Sequence, residues 1–270
     1  MRAGRLISPR KCGAFGSGRY APTHLDGALR RKLVTQRICM KDAEFEKLLQ
    51  ACAEVAALFP DGVVYIGGIA VYLHAKNSQE TQVLAEFTHD ADFYISLADM
   101  SDLRDIEEVI PNRRLSKHQM IKQGFEFDIY TERQSSLIVP YDAVIAHSKI
   151  CAGIRVASLE HLMVLKLEAF SDRKGSAKGD KDAKDLLRIA AVACLGDGID
   201  PNQIAPYLRD EHLELMERVE RGPYAAALAH GNAVEAKRLR QSFSAVCQTI
   251  RSELGGTQQA LLPARQRPKS

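Results

Sequence analysis

Two short motifs carry residue types that do chemistry together. In Val63-Val64-Tyr65-Ile66-Gly67-Gly68-Ile69-Ala70 a glycine pair follows an apolar run, and in Thr88-His89-Asp90-Ala91-Asp92-Phe93-Tyr94-Ile95 two carboxylates stand two residues apart. Side chains two apart on a β-strand share a face, so Asp90 and Asp92 converge on one point and make a site for a hard divalent cation. The Gly67-Gly68 turn leaves backbone N–H groups free to approach phosphate oxygens, and a helix starting there adds the positive end of its dipole. Phosphoryl or nucleotidyl transfer needs that pairing, because triphosphate charge must be neutralised while the attacking and leaving oxygens are held in line.

The elements that would position these groups follow from periodicity. Apolar residues recur at Phe45, Leu48, Leu49, Cys52, Val55, Ala56 and Phe59, which predicts a helix over 41–59 that Pro60-Asp61-Gly62 ends. A strand over 63–66, the glycine turn and one or two helical turns over 69–75 come next, followed by a polar loop over 76–82 and a second strand from Phe87 or Thr88 to Leu97. A helix over 102–109 and an Arg/Lys-rich loop over 111–117 lead to Phe125-Glu126-Phe127-Asp128-Ile129-Tyr130, whose alternation marks a half-exposed strand. If that strand lies beside the one carrying Asp90 and Asp92, Asp128 becomes a third carboxylate at the same site, with Glu126 on its face. Beyond Val156 the chain reads as helix. Ser158 caps a run to Phe170, a polar loop covers 171–179, and helices are predicted over 180–194, 202–208, 212–229 and 233–254.

The fold class expected is α/β (α+β): a small mixed sheet flanked by helices over 40–153, and a helical C-terminal region over 154–254 that closes one side of the cleft. Residues 1–39 read as an unstructured basic leader and 255–270 as a frayed tail. The net charge of +3 hides an asymmetry, since 1–39 hold nine Lys or Arg against the single acid Asp26 and the remainder is net acidic. A general nucleic-acid-binding surface is therefore not implied. No stretch approaches the roughly 18 apolar residues that span a bilayer, and the leader lacks the apolar core of a signal peptide, so no membrane partner and a cytoplasmic location are expected. Its Arg-rich, acid-poor composition also suits a transit peptide, although Met40 opens the first convincing helix and could be the start. The six cysteines, Cys12, Cys39, Cys52, Cys151, Cys194 and Cys247, are scattered without metal-ligand spacing and read as reduced thiols.

The order of these motifs resembles the minimal nucleotidyltransferase fold of the polymerase-beta type. Gly67-Gly68-Ile69-Ala70, Thr88-x-Asp90-x-Asp92, Ser158-x-x-x-Leu162-x-x-x-Lys166-x-x-Ala169-x-x-x-Arg173 and Lys181-Asp182-x-x-Asp185-Leu186 together resemble the AbiEii-type toxin nucleotidyltransferases, over roughly 59–189. The resemblance implies a Mg2+-dependent enzyme that moves an NMP from an NTP to a hydroxyl, with tRNA as acceptor and a cognate antitoxin protein as partner. It makes Asp90, Asp92 and Asp128 the metal ligands, with Asp128 alternatively activating the attacking hydroxyl, and Gly67 and Gly68 the triphosphate cradle. Lys166 becomes a phosphate or substrate contact oriented by Asp185, with Arg173 and Lys181 beside the nucleotide. The longer spacer between Gly68 and Asp90 implies an inserted loop near 76–85, and Ile69 stands where a small hydroxyl residue often donates to phosphate.

Each element also has an ordinary structural explanation. Gly-Gly makes turns, Asp-x-Asp decorates strand edges, Lys166 and Arg173 seven apart make a solvated helix face, and Lys181 with Asp185 makes an i, i+4 ion pair. Arg113, Arg114, Lys117 and His118 read either as an RNA-backbone contact or as a solvated loop. His89 precedes Asp90 and should point to the opposite face. An antibiotic-modifying transferase, or a non-catalytic nucleotide-binding module of the same fold, would share the motifs.

Overall fold

The computed structural model describes residues 27–133 and 137–261, with side chains described over 42–133 and 137–254. Of the leader expected over 1–39, residues 1–26 lie outside the described residues while 27–39 belong to a helix that continues past Met40, so the first helix starts earlier than the periodicity predicts. The end of the tail over 262–270 and the side chains of Cys12 and Cys39 also lie outside the described residues. Contacts divide the chain after Asp42, and the unit from Ala43 onward holds the sheet, the helices packed on it and the cleft.

The element order is α1 Gly27–Leu58, β1 Val63–Ile66, α2 Gly67–Lys76, β2 Asp90–Ile95, α3 Leu97–Ile106, β3 Ile110–Asn112, β4 Lys117–Lys122 and β5 Phe125–Thr131. Then come α4 Tyr141–Ala146, β6 Lys149–Cys151, β7 Ile154–Val156, α5 Leu159–Arg173, α6 Ala177–Leu195, α7 Asp210–Arg221, α8 Tyr224–Leu228 and α9 Ala233–Leu261. The strands form one mixed seven-stranded sheet in the order β3-β4-β5-β2-β1-β7-β6, parallel at β2–β5 and β1–β7 and antiparallel elsewhere. This is the α/β class that the sequence predicts, a mixed sheet flanked by helices.

Alternation of burial fixes the register. Phe125, Phe127 and Ile129 of β5 are buried while Glu126 is exposed and Asp128 half-buried, so the apolar set faces the core and the acids face the other side. In the β2–β5 ladder Asp92 stands directly opposite Asp128 and Asp90 opposite Glu126. Buried tyrosines keep their hydroxyls satisfied: Tyr65 donates to the carbonyl of Cys52 (3.0 Å), Tyr94 to Val139 (2.6 Å) and Tyr141 to Gly62 (2.9 Å).

Several boundaries depart from the sequence reading. The helix expected over 102–109 runs over Leu97–Ile106, because Ser96 accepts the backbone N–H of Asp99 (3.1 Å) and starts it five residues early. The expected 111–117 loop contributes to β3, a 3-10 turn Arg113–Leu115 and the first residue of β4. The 171–179 loop shrinks to 174–176, since Ser176 accepts from the N–H of Gly179 (3.1 Å) and caps α6. The 202–208 helix is two 3-10 turns, Pro201–Gln203 and Ala205–Tyr207, and the expected 212–229 helix is interrupted at Gly222-Pro223, where proline cannot continue the i to i−4 bonding. At the C-terminus helix α9 continues past Gly255 to Leu261.

Among the described cysteines all are free, Cys52, Cys151 and Cys247 buried and Cys194 exposed. No helix among the described residues is long and apolar enough to cross a membrane.

Candidate active site

The residues singled out from sequence meet in one cleft of about 400 Å³, lined by Gly67, Gly68, Asp90, Asp92, Asp128, Lys166, Arg173 and Lys181 among others. Asp185 is absent from the lining; it stands behind Lys166 in α6. Glu126 is exposed and outside the lining.

The carboxylates are placed by strand geometry. Ile66 at the end of β1 faces Asp92 in the antiparallel β1–β2 ladder, so the turn at Gly67 lies over the acid. Gly67 has φ +65, a left-handed conformation that favours glycine, and a Cβ there would sit 2.3 Å from Oδ2 of Asp92. A Cβ on Gly68 would lie 3.0 Å from Oγ1 of Thr88. Both missing side chains therefore make room for the acid-bearing segment, a demand as strong as the close backbone approach expected from sequence. Gly67→Ala is expected to cost about 1–3 kcal/mol from the strained backbone alone and to push Asp92 out of position; urea denaturation and Mg2+ titration of the variant check both effects.

Helix α2 starts at Gly67 with no side-chain cap on its first N–H groups, which open at the cleft beside Gly67 and Gly68. Ile69, where a hydroxyl was expected to matter, is fully buried in the core and turned away from the cleft.

Asp90 accepts from the Thr88 hydroxyl (2.6 Å), which in turn accepts from the Lys181 ammonium (3.2 Å). Burial raises the Asp90 carboxyl, but the Thr88 hydrogen bond and the charges of Lys181 and Lys178 outweigh it, and its pKa falls below the ordinary value. Asp92 behaves oppositely: burial, then repulsion from Asp90 and Asp128, push it up to about 7. Lys166 and Lys117 pull the other way and do not compensate. A half-buried carboxylate short of positive charge, beside a second carboxylate, is the donor set a hard divalent cation needs, so the residues present fit Mg2+.

The third acid is already engaged. Lys117 on β4 forms an ion pair with Oδ2 of Asp128, and Nε2 of Gln119 donates to Oδ1 (3.0 Å). Lys117 was readable only as a loop or RNA-facing cation. The signal that could have placed it is Gly124, between the runs 117–122 and 125–131: Gln123 and Gly124 both have positive φ (54 and 86) and form a two-residue hairpin that brings β4 alongside β5.

Lys166 is buried and ion-paired with Asp182 (3.1 Å) and Asp185 (2.7 Å). Arg173 meets the other oxygen of Asp182 at 2.9 Å, and Arg188 meets Asp185 at 2.8 Å and also pairs with Glu86. The ordinary Lys181–Asp185 helix pair is replaced: Lys181 turns to Thr88, and Asp185 takes Lys166 and Arg188. Lys178, unremarked in the sequence, joins Arg173 and Lys181 as the cations of the cleft lining, with Lys178 and Lys181 close enough to Asp90 for their charge to act on it.

His89 is exposed, His74 lies 2.8 Å from the carbonyl of Ala157, and His118 sits 2.8 Å from Arg104, so none of the three lines the cleft. Among the described residues, the group whose ligand atoms lie within 4.8 Å of one another is Glu168, Glu211 and His212, away from the cleft. There Nδ1 of His212 accepts the N–H of Arg209, its Nε2 faces Glu168 at 2.9 Å, and the Arg209 guanidinium lies against both glutamates, which makes a charged start to α7.

Among solved structures, the chain is similar to an antigenic nucleotidyltransferase-like protein from Paracoccidioides brasiliensis, at 16% identity over 70% of this chain and 93% of that one, with a TM-score of 0.45. It is similar also to the Megavirus polyadenylate synthase (13% identity, 77% of this chain and 46% of that one, TM-score 0.46) and to JHP933 from Helicobacter pylori (15% identity, 80% and 94%, TM-score 0.42). No family model and no curated protein sequence matches the chain.

Proposed function

We propose that the protein is a nucleotidyltransferase that moves a nucleoside monophosphate from an NTP to a hydroxyl acceptor. The observation that carries this reading is the gathering, in one cleft, of Asp90, Asp92 and Asp128 with the uncapped start of α2 and the cations Arg173, Lys178 and Lys181. A triphosphate is recognised by such cations and N–H groups, and the acids supply what its transfer requires.

In this reading Asp90 and Asp92 hold Mg2+, which when bound supplies charge neutralisation and orientation of the triphosphate. The first N–H groups of α2 at Gly67 and Gly68 receive phosphate oxygens, while Arg173, Lys178 and Lys181 hold the remaining charge. Lys166, closed in by Asp182 and Asp185, fixes the packing of α5 on α6 and so the position of Arg173. Asp128 faces the acceptor side as a ligand or as the group that takes the hydroxyl proton.

The test is transfer of label from α-labelled ATP, CTP, GTP and UTP to RNA, protein and small hydroxylated acceptors, with Mg2+ or with EDTA. Transfer is expected only with the metal, and Asp92→Ala is expected to lower it by about a thousandfold or more, the scale set by losing several kcal/mol of charge stabilisation. Nucleotide binding with no labelled product would leave a non-catalytic binding module. The narrower reading, a cytoplasmic toxin acting on tRNA and restrained by a cognate antitoxin, rests on the motif resemblance; its measurement is label appearing on tRNA in preference to other RNAs and to aminoglycosides.

A further inference from the structure

We infer that Lys117 is a built-in counter-cation for Asp128, and that the cleft consequently takes one divalent cation, on Asp90 and Asp92. The inference rests on the nucleotidyl-transfer reading and sharpens it, because the sequence leaves Asp128 open as a metal ligand or as the group that activates the attacking hydroxyl.

Both oxygens of Asp128 are engaged from β4: Lys117 pairs with Oδ2 and Gln119 donates to Oδ1 at 3.0 Å. Gln119 is itself oriented. Its Oε1 accepts from Nδ2 of Asn112 on the neighbouring strand (3.0 Å), which turns its amide NH2 toward Asp128. Asn112 is fixed in turn, because its Oδ1 accepts the N–H of Leu115 and closes the 3-10 turn before Lys117. The clamp therefore runs through three residues of β3 and β4 to the acid. Lys117 is not a wandering surface cation, since its side chain is 12% exposed against 19% for Asp128.

Electrostatics favours a single ion. With an ammonium on Oδ2 and an amide NH2 on Oδ1, a second divalent ion at Asp128 must displace both partners or approach the ammonium, and bringing a +2 charge against it in a partly desolvated cleft costs Coulomb energy. Lys117 also lies close enough to Asp92 for its charge to pull that carboxyl's pKa down. One fixed +1 charge thus serves as an internal substitute for part of the metal charge.

The experiment is a Mn2+ titration of the full chain without nucleotide, read from the loss of the free-ion electron paramagnetic resonance signal. The expected result is one Mn2+ per chain, lost in Asp92→Asn and retained in Asp128→Asn. Lys117→Met, which uncovers Asp128, is expected to bind a second ion or to bind the first about tenfold more tightly, whereas Lys117→Arg, which keeps the charge, should match the native chain. Two ions on the native chain, loss of the ion in Asp128→Asn, or identical titrations of native and Lys117→Met protein would each overturn the assignment while leaving Asp90 and Asp92 as the metal pair. A native chain that binds no ion, or one whose binding ignores Asp92→Asn, overturns the metal-dependent reading together with it. The Asp128→Asn arm keeps the test decisive if Lys117→Met does not fold.

Discussion

Asp92→Asn should be more stable than the native chain when no divalent cation is present, and should transfer nothing. Burial, with repulsion from Asp90 and Asp128, lifts the Asp92 carboxyl from its ordinary 3.8 to about 7. In the unfolded chain it ionises at the ordinary value, so across that interval the folded state holds a proton that the unfolded state has released. Stability without metal must therefore fall as pH rises from about 4 to about 7, and the ionised form then costs roughly 4 kcal/mol at about 1.4 kcal/mol per pH unit. Partial exposure of the side chain reduces this, so a gain of about 2–3 kcal/mol for the uncharged amide at pH 8 is expected. Adding Mg2+ should reverse the order, because binding only to the native fold stabilises it by RT ln(1 + [L]/Kd), and the variant has lost a ligand. Urea denaturation between pH 5 and 8, with EDTA and with Mg2+, measures all of this. A native chain whose stability is flat across that range, or an asparagine variant that gains as much from Mg2+, would sink the assignment.

The parts of the site that could be read from sequence are those set by local periodicity. Asp90 and Asp92 share a face because they are two apart on one strand, and the glycine pair marks the strand-to-helix turn because nothing else tolerates φ +65 against an acid. Asp128 needed one assumption, that β5 lies beside β2, and the ladder supplies it with Asp92 opposite Asp128. The rest depends on contacts that spacing does not encode. Lys117 reaches Asp128 through the register of a hairpin, and the Lys166 ammonium is committed by the way α6 packs on α5. Strands β6 and β7 and the short helix α4 escape periodicity altogether, since strands of three residues show no alternation and Tyr65 opposite Val156 is the single aligned pair between β1 and β7. Helix α3 begins early because Ser96, an ordinary residue in composition, is placed to cap it.

Lys166→Met should cost about 3–5 kcal/mol, the penalty for stripping the partner from buried carboxylates, and that cost separates a structural role from a phosphate contact. The ammonium lies between Asp182 and Asp185, both almost fully buried. Burial lowers the Lys166 pKa, but the charges of Asp185 and Asp182 more than reverse it and the net shift is upward. Asp185 shifts downward, because Lys166 and Arg188 outweigh its own burial. A raised lysine contributes stability that is lost only as pH climbs through its folded pKa, and a depressed aspartate contributes stability lost only as pH falls through its own. The network should therefore contribute a constant amount between about pH 5 and 9, in contrast to the falling contribution of Asp92. After Lys166→Met, Asp182 keeps only the half-exposed Arg173, and Asp185 keeps Arg188, which it shares with Glu86. Adding Asp182→Asn to Lys166→Met removes the poorer-compensated charge and should restore about 1–2 kcal/mol, so the two substitutions will not be additive. Paired denaturation curves for the single and double variants measure the coupling. A Lys166→Met protein as stable as the native chain, with loss confined to nucleotide affinity, would return Lys166 to the role of a free phosphate ligand and leave Arg173 anchored by Asp182 alone.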